Sequence, residues 1–280
     1  MVNGKICLIT GANSGIGKVT ALELAKMGAK VVMVCRNQSK GEAAMSEIKA
    51  KSGNKSVKLM LADLSSQRSI HRLVENFKSK YRQLHVLINN AGGIIGKRLL
   101  TEDGIEMTFA VNHLAYFLLS NLLLDELKSS TPARIVNVAS VGHRVVSLDF
   151  DNLQGELNYS PMRMYLQSKL ANILFTYELA RRLEGTGVTV NCLHPGVVGT
   201  NFGSSGSKIF SFLVKVARPF LTGAKKGAKT SVYLASSTEV EEMTGKYFIN
   251  KKAAKSSEKS YDKQVAQRLW QISAELTSYE

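Results

Sequence analysis

Apolar residues fall in short continuous runs, and stretches of helical period separate the runs along the whole chain. Residues 5–10 (KICLIT) form the first run and end in a glycine-rich turn. Residues 16–27 follow with helical spacing: Ile16, Val19, Leu22, Leu24 and Met27 lie on or near one face. Gly28 stops that helix, as glycine does just past a helix end. Runs at 30–35 (KVVMVC), 57–61, 85–89 (HVLIN), 134–139 (RIVNVA), 188–193 (VTVNCL) and 247–249 read as further strands. Segments 39–50, 66–80, 102–128, 162–183, 227–236 and 264–276 read as helices, with Ser66 as a cap and 102–128 as one long helix. Strands alternating with helices require crossover connections and hence a mostly parallel sheet. The strands are apolar throughout, as expected when helices cover both faces. The expected fold is a doubly wound α/β sheet forming a single domain over residues 1–280, with ligands beyond the carboxyl ends of the strands.

Composition narrows the class without naming a function. The 280 residues suit one large domain, and 44% hydrophobic with 21% charged residues is ordinary for a globular chain. Cys7, Cys35 and Cys192 sit in apolar runs and read as buried free thiols. No apolar run reaches spanning length, and the first strand begins too early for a signal peptide, so the expectation is a cytoplasmic protein. The five histidines show no metal-ligand spacing, and no metal is expected. A net charge of +15 is compatible with anionic partners, but no specific nucleic-acid motif accompanies it; a solvated basic face is the plain reading.

The turn after the first strand reads Thr10-Gly11-Ala12-Asn13-Ser14-Gly15-Ile16-Gly17. Gly11 permits the tight turn, Gly15 lets backbone approach a pyrophosphate, and Gly17 permits close helix–sheet packing. Gly11, Asn13, Ser14, Gly15, Ile16 and Gly17 are therefore the candidate phosphate cradle, with first-turn amides toward the anion. After the second strand stands Cys35-Arg36-Asn37, where an acidic residue would bind a ribose 2′-hydroxyl. Arg36 suits a 2′-phosphate, with Asn37 and Lys40 beside it, and NADP(H) is preferred over NAD(H).

Tyr165 and Lys169 lie four residues apart on one helix face, a spacing at which a cation lowers a phenol pKa toward the range useful for proton transfer. Ser140 stands at the carboxyl end of the fifth strand, positioned to hold a substrate oxygen. With Asp63-Leu64, Asn89-Asn90-Ala91-Gly92, Asn112 and Pro195-Gly196, these motifs resemble the short-chain dehydrogenase/reductase family, of Rossmann fold, over nearly the whole chain. The resemblance implies that Ser140, Tyr165, Lys169 and Asn112 are catalytic, with Lys169 also on the nicotinamide ribose and Asn112 holding a relay water. It implies that Asp63 sits at the adenine with Leu64 supplying backbone contact, that Asn89, Ala91, Gly92 and Val111 line the ribose cleft, and that Pro195, Gly196, Val198 and Thr200 border the nicotinamide and its phosphates.

Ser140 and Tyr165 are 25 positions apart, and the insert at 144–161 resembles the retinol dehydrogenase-like branch. His143 reads as a loop or pocket-wall histidine rather than a base. Residues 203–226 read as a substrate loop containing the basic amphipathic stretch from Lys208 to Leu221 (KIFSFLVKVARPFL). That stretch reads as a helix packed on the domain, a lid over a greasy substrate, or a peripheral contact with an anionic membrane. The expected activity is NADP(H)-dependent interconversion of a hydrophobic alcohol and its aldehyde or ketone, retinoid-like or lipid-derived. The rival readings are C=C reduction, as in the related protochlorophyllide reductases, and a non-catalytic NADP(H) sensor or scaffold. The two longest helices offer faces for a homo-oligomer.

Overall fold

The computed structural model describes residues 2–196 and 223–279. Val198, Thr200 and the 208–221 stretch lie outside the described residues. Among the described residues, eight strands form one sheet in the order β3-β2-β1-β4-β5-β6-β7-β8. They are β1 (Ile6–Thr10), β2 (Lys30–Cys35), β3 (Val57–Leu61), β4 (Val86–Asn89), β5 (Ala133–Val138), β6 (Val188–His194), β7 (Lys246–Ile249) and β8 (Lys252–Ala254). All neighbours are parallel except β7 and β8. β1 pairs with both β2 and β4, so the chain winds outward in opposite directions from it, and a crevice opens at its carboxyl end.

The helices are α1 (Gly15–Lys26), α2 (Gln38–Ser52), α3 (Gln67–Lys80), α4 (Met107–Phe109), α5 (Ala115–Leu122), α6 (Leu124–Lys128), α7 (Pro161–Arg182), α8 (Ala224–Ser236) and α9 (Lys263–Thr277). Alternate strand residues feed two cores, one on each face of the sheet, which explains the apolar runs of the strands; the polar positions that interrupt them, such as Arg134, Asn137 and Asn191, are buried and hydrogen-bonded. Cys7, Ile9, Val31 and Met33 pack with Leu24 of α1, Ile48 of α2 and Leu234 of α8. Leu8, Val32, Leu87 and Ile135 pack with Phe77 of α3, Phe117 of α5 and Phe175 of α7. No helix among the described residues is long and apolar enough to cross a membrane.

The structure departs from the sequence pattern in three places. The expected single helix over 102–128 starts only at Met107. Buried Glu106 caps it, its carboxylate accepting from the amides of Thr108 at 2.9 Å and Phe109 at 2.7 Å. A π turn at Ala110–Leu114 then interrupts the helix, and Leu123 breaks it again before α6. The last strand, expected alone, turns back through Asn250 and Lys251, at φ 50° and 65°, to form β8. Finally, α9 lies along α7, a contact that the sequence pattern does not announce. Trp270 of α9 packs on Phe117 and Phe175, and the Arg182 guanidinium sits 4.1 Å from the Trp270 ring centre.

Candidate active site

The turn after β1 is built for close approach. Gly11 and Gly15 take φ of 65° and 53°, a region costly for side chains. A Cβ on Gly17 would run into the Gly11 carbonyl oxygen and the Asn90 amide. Thr10 ties this turn to the end of β4: its hydroxyl accepts from the amides of Asn90 at 2.9 Å and Ala91 at 3.0 Å. The Asn90 side chain returns a bond to the Thr10 carbonyl at 2.8 Å. Asn37, Ser66, Ser160 and Asp262 each cap their helices through the side chain, whereas Ser14 makes no such bond at α1. The first-turn amides of α1 thus keep their donors for an anion.

Gly11, Asn13, Ser14, Gly15, Ile16 and Gly17 line a cleft of about 260 Å³ together with Ala91, Gly92, Tyr165, Lys169 and Pro195. Asn90, Val138 and Ala139 also line it; the sequence reading did not assign them as cofactor contacts. Open glycine backbone beside uncapped amides suits a dinucleotide pyrophosphate.

α7 delivers the central pair. Ser160 caps its start and Pro161 opens its first turn, where a missing N–H costs nothing. One turn on, Tyr165 and Lys169 face the cleft together. Lys169 is buried, its ammonium donating to the Val138 carbonyl at 3.0 Å. It lies 5.6 and 5.7 Å from the ring centres of Tyr116 and Tyr165, within cation–π range. Burial pushes Tyr165 up to about 12, opposed by a hydrogen bond with the Ser140 side chain. Burial brings Lys169 down to about 7. The sequence argument expected the lysine charge to lower the tyrosine. Desolvation instead weakens that charge at neutral pH and dominates at the phenol, a correction that only the packed structure supplies.

Other assigned residues sit less directly. The Asn89 side chain turns away from the cleft into the core, donating to Ser120 and Asn137 at 2.9 Å each. Its neighbour Asn90 holds the position in the cleft. Leu64 is packed in the core beside α3, and Val111 is half-buried in the π turn. Asn112 uses its whole amide as a strut: Oδ1 accepts from Gly93 at 2.9 Å, and Nδ2 donates to Gly93 at 2.9 Å and Ser168 at 3.0 Å. Gly196 takes φ 87° just after Pro195. Two residues absent from the sequence reading complete the frame. Tyr116 donates to the Ala91 carbonyl at 2.9 Å, and Asn172 donates to the Asn112 carbonyl at 2.9 Å. Tyr116 lies four residues past Asn112, a helical spacing that pointed to it; a partner such as the Val138 carbonyl leaves no sequence signal.

At the end of β2, Arg36 is 73% exposed and lies 3.4 Å from Asp63. Burial alone would raise the Asp63 carboxyl, but hydrogen bonds from Ser65 and the Arg36 charge carry it below the usual range. Asn37 accepts from the Lys40 amide at 2.9 Å as the cap of α2. Asn37→Ala is therefore expected to cost about 1 kcal/mol of stability. A urea titration checks this; a change below a few tenths would show that the cap is idle.

Comparison with known proteins agrees with this geometry. Residues 5–208 match the family model described as short chain dehydrogenase, and the chain belongs to that family of nicotinamide-dependent oxidoreductases. Within it, the chain is similar to the retinol dehydrogenases. It is 45% identical to retinol dehydrogenase 12 of Mus musculus over 275 residues, covering 98% of this chain and 87% of the relative. It is 45% identical to retinol dehydrogenase 14 of Homo sapiens over 291 residues, covering 98% and 86%. Among solved structures, an uncharacterised protein from Mycobacterium paratuberculosis matches with a TM-score of 0.80 at 33% identity, covering 99% of this chain and 95% of that one.

Proposed function

We propose that the protein interconverts a hydrophobic alcohol and its aldehyde or ketone, retinoid-like or lipid-derived, using NADP(H). The observation that carries this reading is the meeting of Tyr165, its hydrogen-bonded partner Ser140 and buried Lys169 beside the glycine turn. The similarity to proteins named retinol dehydrogenases favours an apolar substrate. So does the insert after Ser140, where Val145 and Leu157 are 79% and 74% exposed.

The bound dinucleotide supplies hydride in reduction and a positive ring charge when oxidised. Tyr165 gives its hydroxyl proton to the carbonyl oxygen, and Ser140 holds that oxygen and the phenol in one hydrogen-bonded set. Negative charge growing on the Tyr165 oxygen favours the ammonium form of Lys169, whose pKa of about 7 leaves it ready to take a proton. Tyr116, Asn112 and the Val138 carbonyl keep Lys169 and the loop at 90–93 in place. Pro195, which lines the cleft, and Gly196 would border the nicotinamide end, and Arg36 would read the 2′-position. Val198 and Thr200 are assigned to the same end by family resemblance alone.

NADPH turnover across a carbonyl panel tests this reading. Long apolar aldehydes, retinal among them, are expected to show KM values falling up to about 4-fold per added methylene, the equivalent of about 0.8 kcal/mol each. Preference for short polar carbonyls would overturn the substrate class. Reduction of a conjugated C=C bond with the carbonyl untouched would overturn the reaction.

A further inference from the structure

The peptide bond joining Ser140 to Val141 is gripped at both ends by imidazoles. Its carbonyl accepts from His143 Nδ1 at 2.6 Å, and its N–H donates to His194 Nδ1 at 3.2 Å. His143 stands in the short 3₁₀ turn after β5, and His194 is the last residue of β6. The hydrogen-bond partners settle the protonation of both rings. His143 Nε2 accepts from the Ser257 amide at 2.9 Å, so its proton is on Nδ1 and both nitrogens are engaged in the neutral form. His194 Nδ1 takes a donor and therefore carries no proton.

This peptide needs the help because the sheet stops holding the chain just before it. The β5–β6 ladder ends with Val138 opposite Leu193, followed by one bond from the Ala139 amide to the Leu193 carbonyl at 2.8 Å. Beyond His194 comes Pro195, whose missing N–H cannot extend the ladder. The two imidazoles take over where strand pairing fails, at the residue whose hydroxyl bonds Tyr165.

We propose that His194 and His143 are positioning residues, which lock the Ser140–Val141 peptide and thereby aim the Ser140 hydroxyl at Tyr165 and the substrate oxygen. The proposal rests on the roles given above to Ser140 and Tyr165. Only neutral rings can do this. A proton on His194 Nδ1 would face the Val141 N–H, and one on His143 Nε2 would face the Ser257 N–H. The groups around the rings do not favour such protons. Arg144 shares the turn of His143 and reaches the Lys255 carbonyl, Tyr247 lies edge-on to His143 at 5.1 Å, and the two histidines oppose each other. Cys192 on β6 and Tyr177 on α7 have their pKa values raised, which keeps both neutral. No carboxylate acts on either ring among the described residues. Burial is the largest cause holding both pKa values down, His194 to about 4. The clamp therefore stays closed at neutral pH and opens only as acid charges the rings.

A double-mutant cycle in NADPH-dependent carbonyl reduction tests this. His194→Leu is expected to lower kcat by about 10-fold or more, since small misplacements of catalytic groups cost that much. KM and the NADPH Kd are expected to stay within about 2-fold, because the clamp touches neither ligand. His194→Asn, whose Oδ1 replaces Nδ1 as acceptor, should recover kcat to within about 3-fold of the parent. In a Ser140→Ala background, His194→Leu should change kcat by less than about 2-fold, because the residue it aims is already gone. Should the leucine variant fail to bind NADPH, His194→Gln, with its oxygen one bond too far, takes its place. The same cycle applies to His143→Phe, which keeps the ring against Tyr247. Equal losses in both backgrounds, or no recovery with asparagine, would overturn the proposal. Full activity of Ser140→Ala alone would instead remove Ser140 from the mechanism and the clamp with it.

Discussion

Tyr165→Phe is expected to lower kcat at least about 10²-fold in either direction, the low end for losing a general acid–base group. The ring stays, with its place beside the Lys169 ammonium, so folding and NADPH affinity should change little. What goes is one hydroxyl, the group hydrogen-bonded to Ser140. The pKa near 12 gives the prediction a direction in pH. Carbonyl reduction needs the protonated phenol, so parent kcat in that direction should not rise between neutral and mildly alkaline pH. Alcohol oxidation needs the phenolate, so its kcat should rise over the same range, and the Tyr165→Phe substitution should abolish that rise. Steady-state rates in both directions, with NADPH binding as the folding control, decide the matter. Activity within a few-fold of the parent would remove Tyr165 from the mechanism.

The mostly parallel α/β alternation and the glycine turn could be anticipated because their causes are local. A left-handed φ at Gly11 and Gly15 needs glycine, and a strand buried on both faces needs an unbroken apolar run. The Tyr165–Lys169 pair was visible because four residues make one helical turn. That the Asn89 side chain turns into the core while Asn90 lines the cleft was not, since which asparagine side chain faces the cleft depends on the register at the end of β4. The π turn around Asn112 carries no glycine or proline to announce it. Asn172, sixty residues later, satisfies the Asn112 carbonyl. The β7–β8 turn uses Asn250-Lys251, and a lysine at φ 65° is not a residue that signals a hairpin. The pKa of Tyr165 depends on burial, a property of the whole packed molecule.

Arg36→Ala is expected to weaken NADPH binding by about 10- to 100-fold while altering NADH binding little, the equivalent of losing a charge-assisted bond of about 1.5–3 kcal/mol. Arg36 is free to turn toward a 2′-phosphate. Its contact with Asp63 is long at 3.4 Å and its side chain is largely exposed, and such pairs are worth about 0–1 kcal/mol. Its planar fork then supplies what a ribose phosphate requires. Cys35, by contrast, does not offer an open position for an acidic residue. Its thiol is buried, and a Cβ on Gly41 of α2 would run into its sulfur. Cys35→Asp would therefore place a carboxylate beneath α2 and cost stability as well as repelling a phosphate, which makes Arg36 the cleaner probe. Because the Arg36 site is exposed, the NADPH penalty should shrink as salt is raised from about 0.1 M toward 1 M, where the screening length falls to about 3 Å. Fluorescence titration of both dinucleotides against the parent and Arg36→Ala, at two salt concentrations, measures each part. Equal losses for the two cofactors would show that Arg36 does not read the 2′-position, and a parent that prefers NADH would overturn the NADP(H) assignment.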